Sequence, residues 1–117
     1  MATEVLATDK IIQGRTKESI TQAAKNYASA VREVLPVAKA YLFGSWVTGH
    51  PTVWSDVDVC FFLESYGGKS RLEAITECYR VRRPYLRFIL EPHVLLASSL
   101  AQDDPFVAEI MKTGVEL

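Results

Sequence analysis

The chain has 117 residues, 49% of them apolar and 23% charged, with 13 Lys and Arg against 14 Asp and Glu for a formal net charge of -1. That length suits a single domain, 1–117, with a real core and no room for a second ordinary domain. A charge so near zero makes no strong electrostatic case for duplex nucleic acid as the main partner.

Apolar runs such as residues 59–63 are far shorter than the ~20 residues a membrane-spanning helix needs. The N-terminus carries Glu4 and Asp9 without an extended apolar core, a poor signal peptide, so a cytoplasmic location is the expectation. Cys60 and Cys78 lie outside any C-x-x-C spacing and have no histidine set beside them, so both are expected as small apolar core residues rather than zinc ligands.

Residues 1–14 show no persistent period and read as a lead-in segment. From Thr16 onward Ile20, Ala23, Ala24, Tyr27, Val31, Val34 and Leu35 recur at three- and four-residue steps, the apolar face of a helix that Pro36 stops. Val37–Phe43 is a strand-length apolar run bounded by Pro36 and Gly44. Gly44 and Ser45 open a turn leading into a helical turn over 46–48, which Gly49, His50 and Pro51 break. Val57–Leu63 is apolar on both faces beyond its leading acids, which predicts an interior strand.

Gly67 and Gly68 make the next turn, and Ser70-Arg71-Leu72-Glu73 is a capping box for a helix ending before Pro84, with Leu72, Ile75 and Tyr79 on its expected buried side. Residues 86–96 form a third apolar segment, expected as a strand that is broken or lies at an edge near Pro92, with Glu91 and His93 on one face. Asp104 caps a last helix that has Pro105 in first position, carries Phe106, Val107, Ile110 and Met111, and closes with Lys112 and Gly114. The order helix, strand, short helix, strand, helix, strand, helix predicts an α+β fold, a small mixed sheet flanked by helices.

The chemistry concentrates in residues 41–63. Asp56 and Asp58 are one residue apart, so on a strand both project from one face with α-carbons roughly 6 to 7 Å apart. Carboxylates so close repel unless a cation sits between them, and hard oxygen donors suit magnesium, which completes its shell with water and substrate phosphates. Upstream, Gly44 lets backbone N–H groups approach a phosphate, a following helical turn points its N-terminus at the anion, and Ser45 adds a hydroxyl donor.

Gly44, Ser45, Gly49, Ser55, Asp56 and Asp58 fall in the spacing G-S-x3-G-x5-S-D-x-D. This resembles the signature of the DNA polymerase beta-like nucleotidyltransferase superfamily, in particular its minimal nucleotidyltransferases. The resemblance implies the polymerase beta-like fold, two Mg2+ ions, and transfer of a nucleotidyl group from a nucleoside triphosphate, with ATP and AMP expected. It further implies a third carboxylate on a later strand, matched here by Glu91, so that Asp56, Asp58 and Glu91 hold metal while Gly44, Ser45 and Ser55 contact phosphate. It also implies a protein partner, a helical HEPN-type toxin to which such proteins are antitoxins. Homo-oligomer formation stays open. Two departures stand out: many relatives carry arginine where this chain has Thr48, and the third acid is glutamate followed by Pro92.

Alternatives to an enzyme of this kind are a binding protein that masks a partner with little or no turnover and, less favoured for want of substrate-binding structure, a small-molecule transferase of the antibiotic-modifying type. Trp46 and Trp54 either stack on a base or close the core, and His50 either touches triphosphate or is structural. Lys69, Arg71, Arg80, Arg82, Arg83 and Arg87 are the one basic concentration, either a solvated helix face or a contact for RNA, triphosphate or an acidic partner.

Overall fold

The computed structural model describes residues 16–49, 51 and 55–117. His50, Trp54 and the 1–14 lead-in segment lie outside the described residues. The elements are α1 (Lys17–Arg32), β1 (Val37–Phe43), the short α2 (Ser45–Thr48), β2 (Val57–Leu63), α3 (Arg71–Val81), a 3-10 helix (Arg83–Phe88), β3 (Leu90–Leu96), a second 3-10 helix (Ala97–Ala101), α4 (Pro105–Thr113) and β4 (Val115–Glu116).

The four strands form one sheet in the order β3-β2-β1-β4. β1 pairs antiparallel with β2 and with β4, while β2 pairs parallel with β3, so the sheet is mixed. A parallel neighbour cannot be reached by a tight hairpin, and α3 with the following 3-10 helix supplies the crossover from β2 to β3.

Alternation along β2 explains both layers. Val57, Val59, Phe61 and Leu63 pack against α1 through Ile20, Ala24, Tyr27 and Val31, and against α3 through Ala74 and Cys78. Cys60 and Phe62 point to the opposite face and join Tyr41 with Val107 and Ile110 of α4. An interior strand buried on both sides must be apolar on both, and at the head of β2 Asp58 is the half-buried exception.

α1 begins at a reciprocal capping box of Thr16 and Ser19 and ends at Arg32, ahead of Pro36. α3 opens with the Ser70–Glu73 capping box: the Ser70 N–H donates to Glu73 Oε1 at 3.0 Å and the Glu73 N–H to Ser70 Oγ at 3.1 Å. Its buried face differs from the one expected. Leu72 is 73% exposed, whereas Ala74 and Cys78 are fully buried; Ile75 and Tyr79 are half-buried. The small side chains let α3 come close to α1, where the Tyr27 hydroxyl donates to the Cys78 carbonyl at 2.6 Å. Burial and the neighbouring Cys78 raise Tyr27 far above the ordinary phenol range.

The third strand is also shorter than residues 86–96. Arg83–Phe88 is a 3-10 helix with proline in its first turn, and Ile89 closes it in the left-handed region at φ 52°. Such a conformation is strained for a β-branched residue, yet its carbonyl accepts the Val57 N–H at 2.9 Å. This bond starts the β2–β3 ladder. β3 then runs unbroken through Pro92 as an edge strand, where a missing N–H is tolerated.

Candidate active site

The sheet's ladder brings the candidate residues to one end. Asp58 stands opposite Phe43 on β1 and opposite Glu91 on β3. Neighbouring strands lie about 4.8 Å apart, so Gly44, Asp58 and Glu91 follow one another across three adjacent strand ends. Asp56, two residues before Asp58 and exposed, precedes the strand.

Gly44 is required where it sits. Its backbone is at φ 86°, ψ -156°, a region open essentially to glycine, and a Cβ there would fall 2.5 Å from Asp58 Oδ2. The turn therefore lies directly against the carboxylate. Ser45 opens α2 and is half-buried. Thr48 donates its hydroxyl back to the Gly44 carbonyl at 3.3 Å. Trp46 is buried at 9% exposure in the core of the α1 face, so it closes the core and offers no ring for base stacking. Its indole N–H donates to the Ser55 carbonyl at 3.2 Å, tying the α2 turn to the segment that delivers Asp56.

Each carboxylate has its own partner. Asp58 Oδ1 lies 3.0 Å from His93 Nε2. The His93 ring forms a three-ring cluster with Phe43, at 5.1 Å between centroids, and Phe106, at 5.9 Å, which also touch each other at 5.5 Å. Glu91 Oε1 accepts from the Tyr79 hydroxyl at 2.7 Å. That bond and burial raise Tyr79 above the ordinary phenol range, so its hydroxyl stays protonated as a donor. The Arg82 guanidinium lies 4.7 Å from the centre of the Tyr79 ring and 4.0 Å from Glu91 Oε2.

The basic residues of this region are dispersed rather than massed. Arg71 donates to the Val94 carbonyl at 3.3 Å, Arg82 to the Leu90 carbonyl at 3.0 Å, and Arg80 pairs with Glu77 at 2.6 Å.

Among the described residues no three His, Cys, Asp or Glu side chains are gathered tightly enough to hold a metal ion. The donors nevertheless fit a hard divalent cation: they are carboxylate oxygens, Asp58 and Glu91 are in register, and glycine alone keeps the space over Asp58 open. Both are partly exposed, at 26% and 39% of the side chain, so their free oxygens face solvent from which a cation could arrive. Tyr79, Arg82 and Phe106 carry no local signal for a place beside the acids; the crossover brings α3 to β3, and the return of the chain after β3 brings Phe106 of α4 to His93.

Acids at adjacent strand heads beside a glycine turn define a class of site suited to phosphate substrates held through cations. A family model described as nucleotidyltransferase domain matches residues 24–112, and the chain belongs to that family. The fold is the small mixed sheet with flanking helices of the polymerase beta-like nucleotidyltransferases. No curated protein and no solved structure matches the chain. Among the described residues no helix is long and apolar enough to cross a membrane.

Proposed function

We propose that the chain transfers AMP from ATP to a hydroxyl acceptor, with Asp56, Asp58 and Glu91 as metal-holding carboxylates and Gly44, Ser45 and Ser55 as the phosphate-binding set. The observation that carries this reading is the register that sets Asp58 between Gly44 and Glu91 at one end of the sheet.

Two Mg2+ ions, when bound, would neutralise the triphosphate and the charge developing on the leaving pyrophosphate. The rest falls to the chain. Gly44 admits phosphate oxygens close to its backbone and Ser45 donates a hydroxyl, so the leaving group lies on the β1 side. Glu91, on the β3 side, takes the acceptor's proton as the new bond forms. His93, packed with Phe43 and Phe106, orients Asp58 between these two sides. Catalysis of this kind is mainly positioning and electrostatic stabilisation, so few residues suffice.

Incubation of the purified chain with labelled ATP, Mg2+ and candidate hydroxyl acceptors tests the reading. Transfer is expected, falling by about 10²-fold or more in Asp58→Asn. Absence of transfer to every acceptor, with no difference between the two proteins, counts against it.

A second reading is favoured by Thr48, whose hydroxyl turns back onto Gly44 and offers no cation to the phosphate turn. In it the domain binds nucleotide, turns over slowly or not at all, and acts by masking a protein partner. The partner expected from the resemblance is a HEPN-type toxin, the chain being its antitoxin. Tight binding of such a toxin that is unchanged in Asp58→Asn supports masking; protection lost with the acid supports transfer.

A further inference from the structure

We propose that Tyr79 is itself a nucleotidyl acceptor, so that the chain modifies its own helix α3 at a hydroxyl already seated on Glu91; this rests on the transferase reading above. The hydroxyls of Thr21, Tyr27, Thr48, Thr76 and Thr113 donate to backbone carbonyls. Tyr79 donates instead to the carboxylate of Glu91, at 2.7 Å, the distance expected between an attacking hydroxyl and its general base.

The order of elements fits an in-line displacement. Across this end of the molecule lie the Gly44 turn after β1, Asp58 on β2, Glu91 on β3 and Tyr79 on α3 outside β3. Leaving group and attacking oxygen must approach phosphorus from opposite sides, and the glycine turn and Tyr79 lie on opposite sides of Asp58. Tyr79 and His93, the partners of Glu91 and Asp58, both border an open depression of about 280 Å3 that also touches Arg71 and Phe106. Arg82 against the Tyr79 ring holds the side chain in place.

The step balances without an added oxidant or reductant. Tyr79 Oη bonds to the α-phosphorus of a nucleoside triphosphate, and the bond from that phosphorus to the α-β bridging oxygen breaks. Pyrophosphate departs with the electron pair, and the hydroxyl proton passes to Glu91. The product tyrosine can no longer donate to Glu91, so modification also releases that carboxylate.

The test is intact-mass and fragment-ion analysis of the full chain after incubation with ATP and Mg2+, alongside direct measurement of ATP binding. A gain of one AMP group on Tyr79, absent in Tyr79→Phe and slowed by about 10²-fold or more in Glu91→Gln, is the expected result. Fragmentation of the unmutated chain locates the group whether or not the phenylalanine variant folds. ATP binding and transfer to an added hydroxyl acceptor, with Tyr79 unmodified or the label unchanged in Tyr79→Phe, overturns self-modification and leaves the transferase reading standing. Absence of ATP binding overturns both.

Discussion

Replacing Gly44 with alanine imposes two separate costs. The backbone at φ 86°, ψ -156° is strained for any residue with a Cβ, at about 1–3 kcal/mol. The new methyl also falls 2.5 Å from Asp58 Oδ2, which must rotate away and give up its bond to His93. Such a bond is worth about 0.5–1.5 kcal/mol, toward the low end here because both side chains are partly exposed. The sum is about 1.5–4 kcal/mol, enough to lower the urea midpoint by about 1–2 M for a domain of this size.

Urea unfolding of Gly44→Ala, Asp58→Ala and the double variant separates the two costs. With Asp58 gone only the backbone strain remains, so the glycine change is expected to be milder there by about 0.5–1.5 kcal/mol. Gly68→Ala serves as a control, since it has φ 79° with nothing within 4 Å of a Cβ. An equal cost of Gly44→Ala in the presence and absence of Asp58 refutes the close approach of the turn to the carboxylate.

The buried face of α3 is checked by two substitutions: Leu72→Ala should change stability by less than about 0.5 kcal/mol, whereas Ala74→Leu should cost about 1–3 kcal/mol by overpacking. Thermal or urea melts showing the reverse order would return Leu72 to the core. Burial pushes the Cys60 and Cys78 thiols up to about 12, so neither should react with an alkylating reagent at pH 8 until the chain is unfolded; rapid labelling of native protein contradicts their enclosure. Hydrogen bonds from Ser70 lower Glu73 below the usual carboxylate range. Its stabilisation is thus present above the unfolded carboxylate pKa and lost as pH falls through the lowered folded value. The gap between native protein and Glu73→Ala should close on acidification, and a gap that widens refutes the capping account.

What the sequence makes legible follows from how local each signal is. Pro36, Gly44 and the run of apolar residues after Asp56 mark β1 and β2, and both strands keep those limits. The capping box and Asp104-Pro105 likewise mark the starts of α3 and α4. Leu72 misleads because periodicity gives weight to large side chains, while α3 uses Ala74 and Cys78 to approach α1. Residues 86–89 read equally well as strand, since a short apolar run carries no period of its own; the left-handed Ile89 decides the boundary. β4 is two residues held to β1 by tertiary pairing, without any propensity signal.

The candidate site divides the same way. Spacing alone joins Asp56 and Asp58 to the Gly44 turn in order along the chain, whereas β2 starts only at Val57, so the one-face expectation for the two acids does not carry over to Asp56. The Asp58–Glu91 register, the Tyr79–Glu91 bond and the Asp58–His93 bond depend on the β2–α3–β3 crossover, which no local pattern specifies.

The arginine contacts along β3 have a consequence for how another chain can approach. An edge strand normally offers carbonyls and amides as a template for a foreign strand, but Arg71 and Arg82 already occupy the Val94 and Leu90 carbonyls, and Pro92 contributes no amide. At the other edge β4 is only two residues long. Sheet extension is thereby discouraged on both sides, which protects the chain against edge-to-edge aggregation. A partner must then recognise it through side chains rather than by adding a strand.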